Sequence, residues 1–135
     1  MNIAFELFLD DISRAFLKCD FELWRSRLEL PLSLITKSNA VVLETEDAVV
    51  QNFALYLQAV DVMGLDLIHR TPISLEKCPD GTWLGTFQTR LLRQETLITP
   101  PYTSTALLHD IDGRFAMSSM LNARGHTEWT DPIDG

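Results

Sequence analysis

Six residues have the types and spacing to do chemistry together: His69, Thr71, Thr89, Tyr102, Ser104 and Ser119. A histidine titrates near neutral pH, so it can take a proton and return it. A tyrosine hydroxyl can orient a carbonyl, and serine or threonine hydroxyls can fix other polar groups. Strand alternation puts all six on one face of a sheet, in an otherwise apolar wall, and such a wall is what a ligand pocket looks like. Each has a plainer reading. A buried histidine often only satisfies a hydrogen bond. Tyr102 fits the centre of a sheet as a core aromatic, with Pro100 and Pro101 forcing a bulge or an edge just before it.

Those residues need strands to position them, and residues 65–124 read as four strands with short turns. Leu67, His69, Thr71, Ile73 and Leu75 share a face in the first. Trp83, Phe87, Thr89 and Leu91 share one in the second. Ile98, Tyr102, Ser104, Ala106 and Leu108 do so in the third, and Phe115, Met117, Ser119 and Leu121 in the fourth. Turns are expected at Pro79-Asp80-Gly81, Gln94-Glu95-Thr96 and Asp110-Ile111-Asp112-Gly113. Folding about them sets Thr71 opposite Thr89, Thr89 near Tyr102, and Tyr102 near Leu121. The next row is Ile73, Phe87, Ser104 and Ser119. All three hairpins then bring apolar faces together, which predicts one antiparallel meander with one buried face. Arg70, Arg90 and Arg93 fall on the outer face as solvated strand residues.

The first half predicts the cover that such a sheet needs. Phe5, Phe8, Leu9, Ile12, Phe16 and Leu17 recur at helical spacing over residues 2–18, with Glu6, Asp10, Asp11 and Arg14 on the other side. Asp20 is the expected cap of a second helix running to about Leu28, and Leu30-Pro31 ends it. Residues 32–36 and 40–44 are β-prone about a turn at Lys37-Ser38-Asn39. Thr45 caps a third helix with the stripe Val49, Phe53, Leu57, Val60 and Met63, and Gly64 stops it. Trp24, Phe53, Phe87 and Met117 join the expected pocket lining, although Trp24 also reads as a core plug. The polar tail, about 128–135, is expected to be loose.

Composition narrows the functions. The chain has 135 residues, which suits a single domain over 1–135. A net charge of -8 argues against nucleic acid, whose phosphates need clustered Lys and Arg. No apolar run spans a bilayer, and the acidic N-terminal stretch does not read as a secretory signal. Cys19 and Cys78 lack metal or redox spacing and read as free thiols of a reducing, cytoplasmic compartment. The three histidines show no metal-ligand spacing. His109 and Asp110 are adjacent and point to opposite faces, and His126 lies near the end. No phosphate loop or dinucleotide fingerprint is present, so no cofactor is expected.

The order of elements, with these residues, resembles the nuclear transport factor 2-like superfamily, which includes the SnoaL-like cyclases, ketosteroid isomerase and scytalone dehydratase. The resemblance lies in the Lys18-Cys19-Asp20-Phe21 junction followed by Trp24, in the Thr45-to-Gly64 helix, and in Asp110-Ile111-Asp112-Gly113-Arg114-Phe115, where Phe115 replaces the family's usual tryptophan. It implies an α+β fold: a curved antiparallel sheet covered by three helices as a cone around a pocket. It also implies that His69 is an acid/base with Asp20 as its partner and Tyr102 as an electrophilic helper, in lyase or isomerase chemistry on a small apolar or aromatic ligand with one or two polar groups. Asp20 is equally explained as a helix cap. The last strand offers no inward acid and the first helix no inward tyrosine or aspartate, which departs from cyclases and isomerases. The family commonly dimerises through its outer sheet face, here Leu84, Thr86, Thr103, Thr105, Leu107, Ser118 and Met120. A non-catalytic assembly module, like the small subunits of ring-hydroxylating dioxygenases, is the alternative.

Overall fold

The apolar stripes of the first half form the expected helices. The computed structural model describes residues 2–36 and 39–123. Helix α1 (Ile3–Leu17) is capped by Asn2, which accepts from the Phe5 N–H, and it buries Phe5, Phe8, Leu9, Ile12 and Phe16. Asp20 caps α2 (Phe21–Ser26) by accepting from the Leu23 N–H, and the helix stops short of Leu28, which already belongs to the next strand. Thr45 caps α3 (Glu46–Met63), and Gly64 ends it with a left-handed backbone. Tyr56 and Ala59 are buried on the core face of α3 together with Val49, Phe53 and Met63.

Strand β1 (Leu28–Thr36) starts earlier than expected and runs through Pro31. It pairs antiparallel with β2 (Ala40–Leu43). After α3 come β3 (Leu67–Lys77), β4 (Trp83–Arg93), the short β5 (Thr96–Leu97), β6 (Tyr102–Ile111) and β7 (Arg114–Ala123). The sheet order is β2-β1-β7-β6-β4-β3, with β5 beside β4. Pairing is antiparallel except between β1 and β7, where one parallel contact joins the N-terminal hairpin to the meander. The result is the curved sheet under three helices, with α1 lying across β3 and β7. The tail about 128–135, His126, and Lys37 and Ser38 of the expected turn lie outside the described residues.

Two bulges correct the expected faces. Beside the Pro79-Gly81 turn, Ser74 pairs with Thr86 and Leu75 with Gly85, as the turn dictates. Beyond Ile73 the register shifts by one, so Arg70, not Thr71, lies opposite Thr89. Ile68 and Arg70 therefore face the core, while His69 and Ile73 are exposed. The cause lies at Pro72, which has no N–H to give to a ladder and sits where such residues are tolerated, on an edge strand beside a bulge. A second irregularity in β7 separates the pairs Leu107–Ser119 and Leu108–Met117. Phe115 and Met117 point inward as expected. Past the bulge Met120 is buried instead, Leu121 is exposed, and Ser119 lies on the outer side. The expected rows setting Tyr102 near Leu121 and Ser104 beside Ser119 are replaced for a further reason: Ile111 pairs with Arg114 at the turn, so the β6–β7 register differs before the bulge is reached, and Leu121 ends opposite Thr105.

The β4–β6 register matches expectation, with Thr89 opposite Tyr102 and Phe87 opposite Ser104. Asp11 departs from its expected solvent face. It is buried, and its carboxylate accepts from Arg27 Nε at 3.0 Å and from Arg14 Nη2 at 2.9 Å.

Candidate functional site

The interior between the helices and the sheet holds a cluster of aromatic rings among aliphatic side chains. Phe16 lies 4.7 Å from Trp24, 4.8 Å from Tyr56 and 5.6 Å from Phe53, measured between ring centres. A cavity remains beside this stack, lined by Ile12, Phe16, Trp24, Leu34, Tyr56, Arg70, Tyr102, Met117 and Met120. Its free core is about 20 Å³, room for about one water. Counted with the solvent at its mouth, the depression holds about 340 Å³.

Arg70 is the unusual member of this wall. Only 9% of it is exposed, yet its partners are hydroxyls: Nε donates to Ser13 Oγ at 3.0 Å and Nη1 to Thr89 Oγ1 at 3.1 Å. The guanidinium also lies 5.8 Å from the centre of the Phe87 ring. Burial pushes its pKa down from the ordinary value, and Tyr102 and Tyr56 oppose that shift, Tyr102 also through a hydrogen bond. Among the described residues no carboxylate pairs with it. Arg27, also buried, is neutralised by Asp11 and donates to the Phe115 carbonyl at 3.0 Å.

Of the expected site residues, Trp24, Tyr102 and Met117 line this cavity. Thr89 and Phe87 are fully buried and hold Arg70 from below. Ser104 faces the core, and Phe53 stands behind Phe16. His69 is elsewhere. It is exposed and lines an open groove of about 250 Å³ at the sheet edge, with Glu6, Asp10, Arg70, Thr71 and Pro72. Asp20 is exposed at the start of α2, and no hydrogen bond joins it to His69 among the described residues. Ser119 lines a third, outer groove of about 460 Å³ with Glu29, Pro31, Leu107, His109 and Ser118. There His109 Nε2 is 2.7 Å from Ser118 Oγ, but among the described residues no carboxylate orients the other ring nitrogen, as a nucleophilic serine would require.

Sequence reasoning missed Arg70, Tyr56 and Met120. Pro72 was the available signal for Arg70, because a proline inside a strand announces a register fault. Tyr56 lies one helical turn after Phe53 and so belongs to the same stripe. Met120 carried no local signal. Among the described residues no group of three His, Cys, Asp or Glu side chains could hold a metal ion, and Cys19 and Cys78 are both free.

Three solved structures match the fold over most of its length. An NTF2-like protein of unknown function from Shewanella oneidensis MR-1 superposes with a TM-score of 0.67 at 16% identity, covering 87% of this chain and 94% of that one. A candidate dehydratase of the NTF2-like family from Streptomyces avermitilis gives 0.62 at 15%, covering 87% and 91%. A candidate ketosteroid isomerase from Shewanella frigidimarina NCIMB 400 gives 0.61 at 10%, covering 84% and 89%. This chain has the nuclear transport factor 2-like fold. No protein-family model matches the sequence, and no curated protein does. The likeness is therefore one of architecture: a cone-shaped pocket fold shared with isomerase- and dehydratase-like proteins. In this nuclear transport factor 2-like cone, Arg70 and Tyr102 line the cavity between helices and sheet. No helix among the described residues is long and apolar enough to cross a membrane.

Proposed function

We propose that this protein binds a small, largely apolar molecule inside the cone, with Arg70, Tyr56 and Tyr102 as its polar contacts. The observation that carries this reading is their meeting in one cavity whose other walls are apolar. The free core is small for a ligand, but Met117 and Met120 form part of the wall, and unbranched thioethers repack readily. Lyase or isomerase chemistry would need an acid/base on that wall. Among the described residues no carboxylate or imidazole lines the cavity, and His69 is exposed, so the reading is binding without proton transfer by His69. A homodimer through the outer sheet face belongs to the same proposal.

The aromatic stack supports a second reading, a non-catalytic assembly module whose cone is its own core. Methionine-methyl NMR separates the two. Titration with small aromatic probes (benzyl alcohol, benzamide, benzoate) should shift the Met117 and Met120 signals saturably, and Met120→Trp should abolish the response at Met117. If no probe moves either methyl in the folded protein, the cone is a packed core and the second reading stands.

A further inference from the structure

The cavity wall contains two unmet demands, and both ask for the same kind of atom. Arg70 is a buried cation whose hydrogen bonds end on neutral hydroxyls, with no carboxylate pairing it among the described residues. Leaving such a charge uncompensated is costly in a low-dielectric interior. Trp24 is only 3% exposed, and its indole Nε1–H has no hydrogen-bond partner among the described residues. Both side chains line the same cavity. One residue lacks a negative charge and the other lacks an acceptor.

A single water fits the free space and would satisfy the indole, but it would leave the charge unanswered. A carboxylate answers both, having two acceptor oxygens and one negative charge, and arginine's planar fork suits it. The free core holds only about one water, so a carboxylate enters as the Met117 and Met120 thioethers repack, and its apolar remainder must extend toward the open side of the cavity.

We infer that the cavity is a monocarboxylate site, in which Arg70 neutralises the ligand's carboxylate, Trp24 supplies a further N–H, and a compact apolar body fills the mouth. This rests on the cavity reading above. The Asp11–Arg27 pair is the internal contrast, since the one other deeply buried arginine among the described residues carries its own carboxylate. Arg70 is held in place by Ser13 and Thr89, so its fork is positioned before any ligand arrives.

Matched acid and amide pairs test it by calorimetry on the intact chain: benzoate against benzamide, and hexanoate against hexanamide. Each carboxylate should bind at least about tenfold more tightly than its amide, because an anion neutralises the buried guanidinium whereas a neutral carbonyl does not. Arg70→Met should weaken the carboxylate more than the amide and so erase the preference of the acid over its amide. Trp24→Phe should weaken both acids severalfold. Acids and amides that bind the wild type alike would overturn the anion assignment while leaving the cavity reading intact, as would an Arg70→Met protein that still prefers the acid. No binding by either class would overturn both. The wild-type preference needs no variant, so it decides the assignment even where Arg70→Met fails to fold.

Discussion

Arg27 and Arg70 are buried to similar depth, at 3% and 9% exposure, and removing them should have opposite consequences. Arg27→Met would strand the Asp11 carboxylate in the core. Stranding a buried charge typically costs about 3–5 kcal/mol, and because Arg14 still reaches Asp11 at 2.9 Å the loss should fall near the lower end. Arg70→Met removes an uncompensated cation and replaces it with an apolar chain of similar length. The Ser13 and Thr89 hydroxyls lose a partner, at about 1 kcal/mol each, while the desolvation cost of the guanidinium disappears. That variant should stay within about 1 kcal/mol of the wild type or exceed it. Urea denaturation of the two proteins side by side checks the contrast. A loss on Arg70→Met as large as that on Arg27→Met would mean that Arg70 has a structural partner and is not held for a ligand.

At the scale of elements, the seating of α1 on the sheet depends on Gly85. A Cβ there would come within 2.7 Å of the Phe5 ring, which is fully buried and has nowhere to go. Gly85→Ala should therefore destabilise by about 1–3 kcal/mol through overpacking, read by denaturation with α1 protection followed by hydrogen exchange. The β3–β4 turn makes a different prediction. The Thr82 hydroxyl and backbone N–H both donate to Asp80 and hold its carboxyl below the usual range. With the folded value below the unfolded one, the turn contributes stability above the unfolded carboxylate value, about 3.9, and loses it as pH falls through the folded value. The stability gap between wild type and Asp80→Ala should thus be present at neutral pH and shrink by about pH 2. Along β3, legibility ended a few residues from that turn, at the bulge beside Ile73. Helix stripes, caps and hairpin turns were readable because each is written in local residues, and the β3–β4 register beside its turn and the β4–β6 register followed from them, whereas the β6–β7 register differs from the expected one even beside its turn. The bulges at Ile73 and in β7 are products of long-range pairing, and each reverses every face beyond it. Strict alternation thus carried His69 into the pocket and Arg70 out of it. The architecture survived because Trp83, Phe87, Thr89 and Leu91 lie on β4, whose pairing with β6 has no such fault.

For the whole molecule, the question is what covers the far side of the sheet. One face is sealed by helices and core. The other presents Thr86, Thr105 and Leu107 half-buried and Leu84 exposed, and the hydroxyls of Thr86 and Thr105 bond to each other at 3.0 Å across neighbouring strands. Short side chains leave this surface even enough for a second sheet to lie on it, whereas solvent-facing strands ordinarily carry long charged residues. The homodimer proposed above would set small residues against small residues here, as an isologous contact does. Sedimentation should give about twice the 15.3 kDa chain mass. Thr105→Glu would place a like charge from each copy in the middle of the contact, and burying those charges unpaired should return the protein to monomers. The cavity lies on the opposite face, so acid binding at Arg70 should persist in that monomer. A wild type that sediments as a monomer would exclude the dimer. A Thr105→Glu monomer that no longer binds acids would mean instead that the assembly shapes the cone, and that pocket and outer face act as one system.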